Sequence, residues 1–200
     1  MNNYLRYILP AYCVLYVLFL FIIRARDVKK QIGKNPIQLS LGDDLHGLVG
    51  KYFAFWMLLL AGYVSVYSLC PTACHYFKPY SCLENTVMQT IGLLLLAVAL
   101  VGTYWAQIAM RQSWRVGIDQ HDKTELITTG IFSYSRNPIY LGMLLAVAGL
   151  FMATPNSFIL LLTVTGYILI QVQVRVEEEF LLKMHGQTYA DYKSAVRRFI

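Results

Sequence analysis

Asn137–Val174, NPIYLGMLLAVAGLFMATPNSFILLLTVTGYILIQVQV, contains no charged residue and no histidine, and is bounded by Arg136 and Arg175. An uncharged apolar run with a Thr154-Pro155-Asn156-Ser157 break in its middle reads as two membrane helices joined by a tight turn. The expected helices are roughly Ile139 to Ala153 and Ser157 to Val174. Both ends of such a hairpin return to one face of the bilayer. Arg136 and the Glu177-Glu178-Glu179 triplet are therefore distant in sequence but close in depth.

The rest of the chain agrees with a membrane setting. Of its 200 residues, 57% are hydrophobic and only 14% charged, against about a quarter charged in an ordinary soluble domain. The apolar residues arrive in runs, so the expected class is an all-α integral membrane protein. Tyr4 to Ile23 is a first span, and Arg24-Ala25-Arg26 stands where a cleaved signal peptide would have small residues. Val49 to Leu69 and Val87 to Ala109 are the second and third, and the hairpin supplies the fourth and fifth. After Gly186, a polar helix is expected over Tyr189 to Phe199. The chain reads as one membrane domain, 1–200. Residues 1–110 hold three spans and their loops; 111–200 hold a loop, the hairpin and the C-terminal helix.

Charge sets the expected orientation. Seventeen basic residues against eleven acidic give +6. Basic residues crowd the segment after the first span (Arg24, Arg26, Lys29, Lys30, Lys34), the loop before the fourth (Arg111, Arg115, Lys123, Arg136) and the tail (Lys183, Lys193, Arg197, Arg198). The loop from Cys70 to Thr86 has only Lys78 and Glu84. Positive-inside logic puts the N-terminus outside and the C-terminal helix in the cytoplasm. The excess positive charge suits anionic lipid, and no aromatic-interleaved basic patch points to nucleic acid. Cys70, Cys74 and Cys82 share the outer loop, where a disulfide, inert thiols or a Cys74–His75 metal site all stand open. His46 beside Asp43-Asp44 reads more simply as a helix start, with the aspartates capping, than as a metal site.

The polar constellation lies at the cytoplasmic end of the hairpin. Proline suits a first helical turn and asparagine is a strong N-cap, so Pro138 should open the fourth span with Asn137 as its cap. The free N–H groups there, with Arg136 alongside, favour an anionic ligand group. Gly142, Ala146, Gly149 and Ala153 form a small-residue stripe, expected to pack against Gly166 on the returning helix. Three consecutive glutamates sweep about 200° of a helix, so at least one should face inward, where it could hold an ammonium group or ribose hydroxyls. GxGxxG, P-loop, HExxH and Ser-His-Asp patterns are absent.

Three motifs, SWRVGI from Ser113, LITTGIFSYSRNPIYLG from Leu126 and RVEEEFLLKMHGQTYADYKSAVRRF from Arg175, occur in the order and spacing of a known family. The stretch from Ser113 to Phe199 resembles the isoprenylcysteine carboxyl methyltransferases, with their prokaryotic relatives and the phospholipid methyltransferases. Asn137 stands where that family usually has histidine. The resemblance implies a cytoplasm-facing S-adenosylmethionine pocket and methyl transfer to a lipophilic or lipid-modified acceptor, an isoprenylcysteine-type carboxylate or related small lipid. It places cofactor contacts at Leu126, Gly130, Ile131, Arg136, Asn137, Pro138, Tyr140, Glu178, Tyr189 and Tyr192, with Arg136 and Glu178 as the catalytic pair and no metal. Two other functions compete: an NADPH-dependent membrane reductase of the sterol-reductase type, and a non-catalytic membrane scaffold. Binding of S-adenosylmethionine or of NADPH separates them.

Overall fold

A computed structural model describes residues 4–37, 45–70, 76–117 and 125–200, with the side chains of Leu45 and His46 outside that description. The described residues are helical and contain no strand, only two isolated bridges, Ile37 with Val116 and Pro79 with Asn156. We number the helices α1 (Leu5–Ile32), α2 (Leu45–Leu69), α3 (Thr86–Ala109), α4 (Pro138–Ala153), α5 (Ser157–His185) and α6 (Gln187–Ala195). Four of them, α1, α2, α3 and α5, are long and apolar enough to cross a membrane. The protein is an integral membrane protein. Helix α4 is equally apolar but has 16 residues, a rise of about 24 Å against a hydrocarbon thickness of about 30 Å.

Several boundaries run past the apolar stretches that announce them. Helix α1 carries on through a π-helical stretch at Leu18–Ile23 and the basic segment to Ile32. It stops at Gly33, whose φ of 73° is the left-handed conformation that glycine adopts freely. Helix α5 continues beyond Val174 through the glutamates to His185, ended by Gly186 at φ 55°. Helix α6 closes at Ala195 rather than near Phe199, and Val196 turns extended. The expected Asp43-Asp44 cap and Cys74 lie outside the described residues; Cys70 and Cys82 are exposed.

The small-residue stripe packs differently from expectation. A Cβ on Gly142 would lie 2.0 Å from Thr103 Oγ1, and one on Gly149 would lie 2.8 Å from the Gly92 carbonyl oxygen. The stripe of α4 thus meets α3, which offers its own small residues Gly92, Ala99 and Thr103, all buried. Gly166 on α5 instead receives the Trp56 ring of α2, whose indole N–H donates to the Leu162 carbonyl at 2.8 Å. Small residues permit close approach to any helix carrying a complementary surface, and here α3 and Trp56 supply it. Leu5, Leu9, Trp56, Tyr63, Leu96, Val147, Leu150 and Ile159 fill the core between these contacts.

Candidate active site at the charged end of the hairpin

Local chain chemistry first fixes Arg136. Its backbone N–H donates to the Arg197 carbonyl at 3.0 Å, and Nη1 donates to the carbonyls of Lys193 and Val196. Nη2 reaches Glu178 Oε1 at 2.9 Å, closing the two ends of the α4–α5 hairpin on each other. Arg198 adds a two-point clamp on the same carboxylate, Nε to Oε1 at 3.0 Å and Nη2 to Oε2 at 2.9 Å. Lys193 Nζ lies 3.6 Å from Oε2. Three cations thus surround one buried carboxylate, with the Arg136 and Glu178 side chains only 7% and 3% exposed. The Glu178 hydrogen bond holds the Arg198 guanidinium above its already high range. One Arg136 donor, Nε, is buried without a hydrogen-bond partner among the described residues.

Asn137 occupies the N-cap position of α4 but does not cap it. With φ −131° and ψ 55° its side chain turns away from the first turn, and Nδ2 donates to the Arg198 carbonyl at 3.2 Å. Ser135 Oγ approaches the same carbonyl at 3.4 Å. The chain from Val196 to Arg198 is therefore a strap sewn across the start of α4. This strap, and Arg198 above all, was missed in the sequence, where no local pattern ties position 198 to position 178.

Beside this cluster lies a cleft lined by Leu126, Ile127, Phe132, Arg136, Asn137, Pro138, Tyr140, Glu177, Phe180, Tyr189 and Tyr192, among others. Seven of the ten anticipated cofactor residues line it: Leu126, Arg136, Asn137, Pro138, Tyr140, Tyr189 and Tyr192. The other three stand beside it. Gly130, exposed at φ 65°, and Ile131 form a short 3-10 turn behind Phe132, while Glu178 points into the arginine cluster. Of the triplet, Glu177 lines the cleft, as Glu125 does from the loop, and its Oε2 accepts from Tyr140 OH at 2.9 Å. Glu179, next along the helix, is exposed.

The aromatic wall is rigid. Tyr192 OH donates to the Phe132 carbonyl at 2.6 Å, pinning the Gly130–Ser133 turn to α6. Burial raises the Tyr192 phenol to about 12, so it stays a hydrogen-bond donor across the ordinary pH range. Tyr189 is 1% exposed and meets the Tyr192 ring edge-on, with centroids 6.1 Å apart. Met110, Ser113, Arg115 and Gly117 add a further part of the wall. Arg24, about two turns before the end of α1, holds this segment: its guanidinium donates to the Arg111 carbonyl and lies 5.9 Å over the Trp114 ring. Val116 N–H adds a bond to the Pro36 carbonyl at 3.0 Å. Among the described residues no three His, Cys, Asp or Glu side chains converge as metal ligands.

The residues present suit S-adenosylmethionine. Aromatic faces match a purine and a cationic sulfur. A half-buried carboxylate matches ribose hydroxyls or an ammonium group, and the unpartnered Arg136 Nε is a spare donor for a carboxylate.

An α-helical membrane protein with a polar, aromatic-walled cleft where α4 begins and α5 turns polar is the class defined by this fold and site. The chain belongs to the phospholipid methyltransferase family, whose model matches residues 87–188. Over 121 residues it is 28% identical to the protein-S-isoprenylcysteine O-methyltransferase of Saccharomyces cerevisiae, covering 57% of this chain and 49% of that one. Over 108 residues it is 26% identical to the nickel-cobalt-cadmium resistance protein NccN of Alcaligenes xylosoxydans xylosoxydans, covering 54% of this chain and 47% of the relative. The chain thus spans about half the length of these relatives.

Proposed function

We propose that the protein is an S-adenosylmethionine-dependent methyltransferase acting on a lipophilic acceptor, an isoprenylcysteine-type carboxylate or related small lipid. The observation that carries the reading is the cleft itself, which gathers aromatic rings, Glu177 and Arg136 where the uncharged hairpin ends. The proposed topology has five spans, with α4 as the short fourth, and positive-inside logic puts the cleft in the cytoplasm. A polar cofactor then enters from the aqueous side and a lipophilic acceptor from the bilayer.

S-Adenosylmethionine, when bound, supplies an electrophilic methyl group on a sulfonium. The chain's own task is to align and to exclude water. Phe132, Phe180, Tyr189 and Tyr192 offer flat apolar surface for the adenosyl group. Glu177, steadied by Tyr140, takes ribose hydroxyls or the ammonium group. Arg136 takes a carboxylate of cofactor or acceptor. Glu178 and Arg198 hold the Arg136 plane so that this donor is preorganised. A carboxylate or thiolate acceptor is nucleophilic without a base, so none is needed from the protein.

Calorimetry on protein purified in detergent tests the reading. Saturable binding of S-adenosylmethionine, displaced by S-adenosylhomocysteine and absent with NADPH, is the expected result. Binding of NADPH alone would replace the methyltransferase with a reductase.

A further inference from the structure

On the outer side of Arg136, away from the cleft, lies an open groove lined by Arg136, Gln171, Lys193, Arg197, Arg198 and Phe199, among others. Its charge is lopsided. Four of these side chains are cationic, and the carboxylate paired with them is Glu178, which contacts Arg136, Arg198 and Lys193 but not Arg197. One negative charge cannot neutralise four positive ones. Gln171 turns its Oε1 to Arg175 Nη1 at 2.8 Å, and its amide N–H₂ group remains as a donor. Donors and positive charge dominate the groove, and they match a phosphate-bearing anion.

Position decides where such an anion comes from. Gln171 sits where the uncharged run of α5 gives way to Arg175, the depth at which spans meet the head groups. Phe199 and Ile200 both line the groove, and Ile200 is 82% exposed, so apolar surface borders the charges as it does where lipid head groups meet acyl chains. We infer that this groove binds the phosphate of a bilayer lipid head group, and that Arg136 links the bound lipid to the cleft on its other side. The inference goes beyond the proposed reaction and holds or fails without it.

The test is retention of phosphatidylglycerol, measured by native mass spectrometry on full-length protein released from phosphatidylcholine nanodiscs containing graded phosphatidylglycerol. Lys193 and Arg197 are the groove cations whose side chains make no hydrogen bond to Glu178; Lys193 Nζ stands 3.6 Å from its Oε2, and Arg136 bonds only their backbone carbonyls. Two charges near a membrane surface correspond to roughly a thirtyfold loss of affinity in Lys193→Gln/Arg197→Gln. Lys29→Gln/Lys30→Gln, which removes an equal charge from the exposed end of α1, should retain the lipid as wild type does. The charge-conserving Lys193→Arg/Arg197→Lys should also bind normally, and the single Arg197→Gln, with roughly a fivefold loss, serves if the neutral pair does not fold. Equal retention by the neutral groove variant and wild type would overturn the inference, as would equal losses in the groove and α1 variants or in the charge-conserving one. Full displacement of the lipid by millimolar inorganic phosphate would assign the groove to a free anion instead.

Discussion

The two ends of the α4–α5 hairpin are built on opposite principles. At the turn end, neutral groups satisfy one another. Asn156 Oδ1 accepts from the Phe158 and Ile159 N–H groups, and its Nδ2 donates to Tyr63 OH at 2.8 Å and to the Thr154 carbonyl. Tyr80 clamps the turn through its N–H to the Pro155 carbonyl at 2.8 Å and its hydroxyl against Ser157 Oγ at 2.9 Å. The rings of Tyr63, Phe77 and Phe158 close over it. At the other end the groups are ionised, the positive charge exceeds the negative, Arg136 Nε lacks a hydrogen-bond partner among the described residues and a cleft stays open. A saturated neutral end holds the fold; an end with unspent donors is equipped to receive a ligand.

Substitutions can break this contrast, beginning with the largest effect. Glu178→Ala should cost about 3–5 kcal/mol, because Arg136 would be left buried without its partner. It should also weaken S-adenosylmethionine binding, so thermal melts and calorimetry both register it. A melt unchanged from wild type would show that the cluster is not held as described.

Asn156→Ala is the counterpart at the turn end. Losing the cap and the bond to Tyr63 OH should cost about 1–3 kcal/mol. Cofactor affinity of the folded fraction should not move; a tenfold change in affinity would erase the division between a structural and a binding end.

Glu177→Gln sharpens the assignment within the glutamate triplet. The amide keeps a hydrogen-bond acceptor for Tyr140 but removes the charge. The expected outcome is roughly a tenfold loss of S-adenosylmethionine affinity, in line with a lost charge-assisted hydrogen bond, with a melt close to wild type. Glu179→Gln, at an exposed position, should leave binding alone.

Asn137 gives the smallest effect and a clean choice. Asn137→Ala should cost about 1 kcal/mol, from the lost donation to Arg198. Aspartate is as good an N-cap as asparagine but has no N–H to give. Asn137→Asp should therefore be no more stable than alanine, whereas recovery to wild-type stability would restore the capping role.

These outcomes follow how unevenly the molecule is written in its sequence. The hairpin was legible because an uncharged run interrupted by Thr-Pro-Asn-Ser admits few arrangements in a bilayer, and Arg136 and Glu178 do meet at one end of it. The triplet was legible only as a statement that some glutamate faces inward. The structure gives the three carboxylates three fates: cleft, arginine cluster and solvent. Each lies about 100° from the next, and absolute rotation depends on how α5 packs. Asn137 was misread because cap preference is a local average, and a bond to Arg198, 61 residues away, turned its side chain elsewhere.

By itself, then, the amino-acid sequence determined what a local rule can carry. Apolar runs of membrane length marked most of the helices, proline opened α4 at Pro138, and Gly33 and Gly186 stopped α1 and α5. It also carried the motifs that place the chain in its family. Only the tertiary structure decided that the α4 stripe meets α3 and not α5, that Trp56 fills the notch at Gly166, and that Arg198 returns to clamp Glu178. Those choices are contests between surfaces. Small residues say that something can approach, and charges say that something must pair, but the partner is whichever complementary surface the folded chain brings within reach.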